Sequence, residues 1–179
     1  MLTSLWIPIV VATVALFFAS FLTWMVLPVH RKDWVKLAKE DEFLQAARNC
    51  EIPVGNFMFP FSNSPEEMKR EAHQKKWKAG PCGILTVFGP VNMARNLGLT
   101  FLYFFVVSLC LAYLATLGIP AGASFRVVFR FVSTAGLMTF LGATLCHSIW
   151  FHNRIVGHIL ESFAYASISG AIFAAMWPK

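Results

Sequence analysis

Four long runs of apolar residues dominate the pattern along this 179-residue chain. Each run approaches the roughly 20 residues that an α-helix needs to cross a hydrocarbon core about 30 Å thick with its backbone hydrogen bonds satisfied internally. The pattern predicts an all-α integral membrane protein with four transmembrane helices, at about Leu5–Leu27, Leu97–Leu117, Phe129–Cys146 and Val156–Trp177.

The polar stretch between the first two runs divides the chain into three parts. Residues 1–28 are predicted as transmembrane helix 1, residues 29–94 as a small cytoplasmic segment with one or two amphipathic helices, and residues 95–179 as a three-helix transmembrane region. Within the segment, Ser64, Pro65 and Glu67 carry the residue types of a helix start, and Gly80 followed by Pro81 those of a helix end. Two apolar stretches near residues 57–61 and 82–88 could pair as a ribbon or re-enter the membrane interface.

Composition and charge support a membrane location and orient the helices. The chain is 57% hydrophobic and 13% charged, whereas an ordinary soluble domain is about 25% charged. Most of its 15 Lys and Arg residues lie between His30 and Arg95. Because basic residues favour the cytoplasmic side, this asymmetry predicts a multi-pass protein with both termini on the non-cytoplasmic side. The lipid bilayer is the predicted partner, and no nucleic-acid partner is expected.

One predicted helix of the segment concentrates these basic residues. It could lie on an anionic leaflet, or it could be a solvated helix whose charge only fixes the orientation. The residues concerned are Lys69, Arg70, Lys75, Lys76 and Lys78.

Short motifs along the chain after the first span resemble those of a family of small bacterial inner-membrane proteins. They are Pro-Val-Gly-Asn-Phe-Met-Phe-Pro at 53–60, a charged helix containing Met68, Gly-Pro-Cys-Gly-Ile-Leu-Thr-Val at 80–87, and a last span ending in Met-Trp-Pro at 176–178. The resemblance implies a location in the bacterial inner (plasma) membrane. It carries no activity that could be transferred to this chain.

A row of small residues follows one face of the fourth predicted span. Small side chains at this spacing let helix backbones approach closely, which drives association inside a bilayer. The row either packs the four helices of one chain or docks the helix onto another membrane subunit. The residues are Ser162, Ala166, Gly170 and Ala174.

Glu161 is the single acidic residue inside a predicted span, and such a carboxylate is a candidate functional group because it is costly to hold in a bilayer. His158 and Arg154 share roughly its face, and His147 lies nearby, so the four residues form a predicted intramembrane polar cluster. The cluster is interpreted as a structural pair with His158, Arg154 or Arg95, or else as a site that handles protons or ions. A third interpretation is a metal or haem site; its candidate ligands are Cys146, His147, His152 and His158.

The sequence contains no recognisable catalytic set, and the four cysteines have no metal-binding spacing. His30 and His73 are predicted to be surface histidines. No cofactor is expected, apart from the haem or metal alternative. The favoured function is a structural or accessory subunit of a larger membrane assembly, with other membrane subunits as partners. The alternatives are a small transporter or proton-linked membrane enzyme centred on Glu161 and His158, and a membrane-anchored adaptor for a soluble partner.

Overall fold

The computed structural model describes all 179 residues. Most of them are helical, and they form two compact units. The helical unit comprises Met1–Val35 and Met93–Lys179, and the middle unit comprises Lys36–Asn92. In chain order the elements are α1 (Leu2–Val26), α2 (Glu40–Asn49), β1 (Gly55–Phe59), α3 (Pro65–Lys69), α4 (Glu71–Ala79), β2 (Gly83–Val87), α5 (Met93–Gly118), α6 (Phe125–Phe151) and α7 (Val156–Ala175).

The helical unit is an antiparallel bundle of α1, α5, α6 and α7. Helix α1 packs against α5 and α7, and α6 packs against α7 and α5. The start of α1, the turn between α5 and α6, and the end of α7 meet at one end of the bundle, where Leu5, Ile119 and Trp177 share one apolar core. We call this the apolar end. It is also closed by a hydrogen bond from Trp177 Nε1 to the Pro120 carbonyl oxygen at 2.9 Å.

Three helices are long and apolar enough to cross a membrane: α1, α5 and α6. The first three predicted spans are therefore confirmed as candidate membrane helices, each somewhat longer than predicted. The fourth forms the helix α7, but α7 is not among the three, so the predicted number of four spans is not confirmed. The physical reason lies in its composition, because α7 carries His158, Glu161 and several serines and glycines.

The row of small residues on α7 is buried inside the chain. Ser162, Ala166 and Gly170 are buried, as is Ala174 at 8% exposure. A Cβ atom at Gly170 would lie 3.1 Å from the Phe129 carbonyl oxygen of α6, and a Cβ atom at Gly136 of α6 would lie 3.3 Å from Ala166 Cα. The backbones of α6 and α7 therefore approach as closely as glycine permits.

The middle unit contains a two-stranded ribbon and three short helices. Strands β1 and β2 pair antiparallel, with Phe57 opposite Leu85. Ser64 caps α3 as predicted, its Oγ accepting a hydrogen bond from the Glu67 amide at 3.1 Å. The single helix predicted between Ser64 and Gly80 is wrong, because Arg70 adopts an extended conformation that separates α3 from α4.

Candidate functional site

Glu161 lies in the second turn of α7, at the end of the bundle opposite the apolar end. Only 7% of its surface is exposed. Thr23 Oγ1 of α1 donates a hydrogen bond to Glu161 Oε1 at 2.6 Å, and the Tyr165 hydroxyl, one turn further along α7, donates to the same oxygen. These two hydroxyls satisfy one carboxylate oxygen, as a buried acidic group requires.

The last turn of α1 has a π-helical geometry that helps to place Thr23. Residues Leu22–Val26 form this wider turn, and the Leu27 amide donates to the Leu22 carbonyl oxygen at 2.7 Å. Such turns are rare and are often found at functional sites. Here the turn carries both Thr23, which donates a hydrogen bond to Glu161, and Trp24, which stacks on His30.

His30 follows α1 and folds back over this end of the bundle. Its ring stacks on Trp24, with the ring centroids 4.0 Å apart and an interplanar angle of 9°. Nδ1 lies 2.7 Å from Asp33 Oδ2, and Nε2 lies 3.3 Å from Glu161 Oε2. The prediction that His30 is a surface histidine is wrong, because only 5% of its surface is exposed.

The two polar contacts of His30 differ in kind. The contact between Nδ1 and Asp33 is a hydrogen bond. Nε2, by contrast, is buried and has no hydrogen-bond partner, since its contact with Glu161 has the distance of an ion pair without the geometry of a hydrogen bond. A buried polar atom left in this state calls for an explanation.

Gly157 lets the segment around His30 approach α7. A Cβ atom at this position would lie 2.9 Å from His30 Nδ1 and 3.0 Å from the Val29 carbonyl oxygen. Real Cβ contacts are not that short, so any larger residue would push His30 away from Glu161. The glycine is therefore part of the geometry of the site, although it carries no functional group.

His158 completes a group of three residues that could hold a metal ion. Its ring is partly buried, and its centroid lies 4.9 Å from that of His30. One potential ligand atom from each of His30, His158 and Glu161 can be chosen so that all three lie within 4.8 Å of one another. We call these three residues, with Asp33, the polar site.

Two of the four residues of the predicted polar cluster lie in the polar site, and two lie outside it. Glu161 and His158 lie together, as described. Arg154 is exposed and is not a salt-bridge partner of Glu161, which pairs with His30 instead. His147 is also exposed, and its Nδ1 accepts a hydrogen bond from Asn153 Nδ2 at 3.0 Å. Of the predicted metal or haem ligands, which include Cys146 and His152, His158 alone belongs to the group of potential metal ligands.

Sequence reasoning missed Thr23, His30, Asp33 and Tyr165. Two local signals could have pointed to part of this set. His30 and Asp33 are three residues apart, a spacing that lets a carboxylate reach an imidazole nitrogen across one turn. Gly157 directly precedes His158, and glycine permits a close approach to the backbone that larger residues would block.

The basic residues predicted for the membrane surface all belong to the middle unit. They lie on α3, on α4 and at the break between them, and their side chains are exposed. The same unit contains a groove of about 460 Å³, with Met58, Phe61, Met68 and Trp77 among its lining residues.

Comparisons with protein-family models, with curated proteins and with solved structures find no match for this chain. The resemblance to small bacterial inner-membrane proteins therefore stays a prediction. The polar site combines two carboxylates, Glu161 and Asp33, with two imidazoles, His30 and His158. A surface groove of about 420 Å³ borders the site and is lined by His30, Pro28 and Trp34 among others.

Proposed function

We propose that this protein is a small multi-pass membrane protein that binds and transfers a cation, a proton or a metal ion, at the polar site. This is the transporter alternative centred on Glu161 and His158, extended to include His30. The observation that carries it is the buried Nε2 of His30, which faces the Glu161 carboxylate without a hydrogen bond. A proton or a metal ion between these two atoms would interact favourably with both of them.

A purely structural role accounts less well for the same contacts. Thr23 and Tyr165 already satisfy one oxygen of Glu161. If the site only stabilised the fold, a hydrogen bond between His30 Nε2 and Glu161 would be favoured, because an unsatisfied buried polar atom costs about 1–3 kcal/mol. The open contact favours a site that exchanges its occupant.

Buried hydroxyls deeper in the bundle support passage of a cation. Ser169 lies on α7 eight residues beyond Glu161, about 12 Å further along the helix. Its Oγ and that of Ser108 on α5 are buried without hydrogen-bond partners, and Thr13 on α1 is buried as well. These hydroxyls would let a proton or ion continue past Tyr165 into a bundle that is otherwise apolar.

The finer membrane topology belongs to the same proposal. Helix α7 would be a fourth span, tolerated despite Glu161 because this carboxylate is buried against α1 and accepts a hydrogen bond from Thr23. The polar site would then lie at the cytoplasmic face of a bacterial inner membrane, with both termini outside. Labelling of the exposed thiols Cys50 and Cys82 with a membrane-impermeant maleimide tests this: intact spheroplasts should protect them, and inverted vesicles should not.

Transport can be measured with the full chain reconstituted into liposomes. A pH-sensitive dye and a zinc-sensitive dye, each trapped inside, report the two kinds of cation separately. Glu161→Gln should lower the flux at least tenfold, whereas the exposed Glu66→Gln should leave it within twofold of wild type. Equal flux for Glu161→Gln and wild type, with both proteins above the background of empty liposomes, would contradict the proposal, as would no flux of either cation.

An accessory subunit remains the second candidate, and one observation favours it. The second half of α6 contributes no buried residue after Gly136, and it exposes Met138, Ile149 and Trp150 by 73%, 71% and 74%. Lipid or a partner helix must cover this face because it is apolar and exposed. The small residues of α7 are buried inside the chain, so they do not offer a second docking surface. Native mass spectrometry from gently solubilised membranes tests this candidate, which predicts a stoichiometric partner that is lost when Met138 and Ile149 are both changed to Trp.

The adaptor alternative would use the middle unit. Its exposed basic residues and its apolar groove offer surfaces for lipid or protein. Nothing about them selects a particular occupant, so the polar site carries the stronger proposal.

A further inference from the structure

We infer that the polar site is a binding site for a divalent transition-metal ion of the zinc class. The ligands would be His30 Nε2, a carboxylate oxygen of Glu161 and a ring nitrogen of His158, with Asp33 fixing the His30 ring. The inference rests on the proposed function in that it names the cation, but metal binding can be measured without any transport.

The separation of the first two ligands matches a metal site. Two ligands on a tetrahedral zinc ion, each about 2.0–2.1 Å from the metal, lie about 3.3 Å from one another. His30 Nε2 and Glu161 Oε2 are 3.3 Å apart. All three ligand atoms lie within 4.8 Å of one another, so a small movement of the His158 ring would bring its nitrogen within bonding distance of the ion.

The hydrogen bond between His30 and Asp33 prepares the ring for a metal. Because the Asp33 carboxylate accepts the proton on Nδ1, the lone pair of the neutral imidazole is on Nε2, which faces Glu161. A carboxylate that holds the distal nitrogen of a ligand histidine is the usual support around a metal, since it fixes the tautomer and makes the ring a better donor. Trp24 stacks on the same ring and limits its rotation.

The ligand types select the class of metal. Imidazole nitrogens suit zinc, cobalt, nickel and copper, whereas magnesium and calcium prefer sites made of oxygen atoms. Three protein ligands leave one tetrahedral position open, as in zinc sites that exchange a ligand. The groove that His30 helps to line borders this site.

The competing explanation is a protonated His30 held between Asp33 and Glu161 with no metal involved. Both salt-bridge distances permit it. The two explanations differ in what they predict for metal titrations of the same protein, so the experiment can decide between them.

The test uses the full chain in mild detergent, purified without a histidine tag and treated with a chelator. Titration with Zn²⁺ by calorimetry, and with Co²⁺ by visible absorption, should give one ion per chain and the intense bands of a tetrahedral site. His30→Ala should weaken binding at least about 100-fold, and Asp33→Asn about 10–100-fold, as loss of a supporting carboxylate does. His152→Gln, which changes an exposed histidine near the same end, should stay within twofold.

Failure to bind one Zn²⁺ or Co²⁺ per chain would overturn the inference, as would binding that His30→Ala and His158→Gln both leave unchanged. His158→Gln serves as a second variant in case His30→Ala disturbs folding, since a partly buried position tolerates substitution better than a buried one. Size-exclusion profiles identify any variant that does not fold. Proton flux without metal binding would overturn this inference and leave the proposed function standing. Stoichiometric metal binding without any flux would support this inference and overturn the proposed transport function.

Discussion

The two ends of the helix bundle are closed by different kinds of interaction. At the apolar end, Leu5, Phe173 and Trp177 are at most 8% exposed and pack into one core. At the polar end, Glu161 and His30 are nearly as buried, but polar contacts hold them: Thr23 donates a hydrogen bond to Glu161, His30 is hydrogen-bonded to Asp33, and an ion pair joins Glu161 to His30. The same helices therefore present a sealed end and an end with an unsatisfied ring nitrogen.

The difference suggests a division of roles along the bundle. Dense apolar packing gives a position little freedom, because every added or removed methyl group is felt by its neighbours. A polar group that lacks a hydrogen-bond partner can bind a ligand without first breaking an existing hydrogen bond. We expect stability to depend mainly on the apolar end and ligand binding mainly on the polar end, and four substitutions test this expectation.

Phe173→Ala should have the largest effect on stability. Phe173 is fully buried in the apolar core, and removing such a ring costs about 3–5 kcal/mol. Thermal unfolding in detergent measures the loss, and the matched control is Phe163→Ala, because Phe163 is 53% exposed. If Phe173→Ala weakened metal binding at the polar end in proportion, the two ends would not be separable.

Gly170→Leu should lower the free energy of unfolding by about 3 kcal/mol, at the upper end of the usual cost of overpacking. The added side chain would meet Ser133 Cβ and the Phe129 carbonyl oxygen of α6 at about 3 Å. Gly142→Leu on α6 is the control, since a Cβ atom there has no neighbour within 4 Å. Equal unfolding temperatures for the two variants would show that α6 and α7 do not pack as described.

Gly157→Ala should act on the polar end alone. The new methyl group would displace His30, and we expect metal affinity to fall about 30-fold, equivalent to about 2 kcal/mol. Gly98→Ala is the control because its surroundings are open. Calorimetric titration measures the affinity. An unchanged affinity, with the protein folded, would mean that His30 is not held against α7.

Trp177→Phe should have the smallest effect, about 1 kcal/mol in unfolding free energy. It removes the hydrogen bond to the Pro120 carbonyl oxygen and keeps most of the apolar contact. Trp150→Phe changes an indole that is 74% exposed and should be neutral. A loss as large as that of Phe173→Ala would show that the apolar end depends on this hydrogen bond rather than on packing.

The apolar helices could be predicted from the sequence because their signal is local. A run of about 20 apolar residues identifies a membrane helix without any knowledge of its neighbours. Helix α7 was predicted as a helix for the same reason, but its hydropathy is lowered by Glu161 and His158. Whether it crosses the membrane depends on the helices around it, which hydropathy does not describe.

The polar site could be predicted only in part because its contacts are distant in the chain. Glu161 and His158 share one helix, so their spacing reveals that they are close. His30 stands beside Arg31 and Lys32 at the end of α1, where a surface position is the natural interpretation. Its burial arises from Gly157 and Trp24, and that contact becomes visible when α1 and α7 are packed together.

The low hydropathy of α7 has a consequence for how the protein is made. A ribosome delivers α1, α5 and α6 to the membrane before α7, and Glu161 meets Thr23 across 138 residues of sequence. If α7 is the fourth span proposed above, it enters a bilayer that already contains Thr23 of α1. In a rearranged chain that placed α7 before α1, every helix would still be synthesised, but Glu161 would enter the membrane before Thr23 was there to donate a hydrogen bond to it.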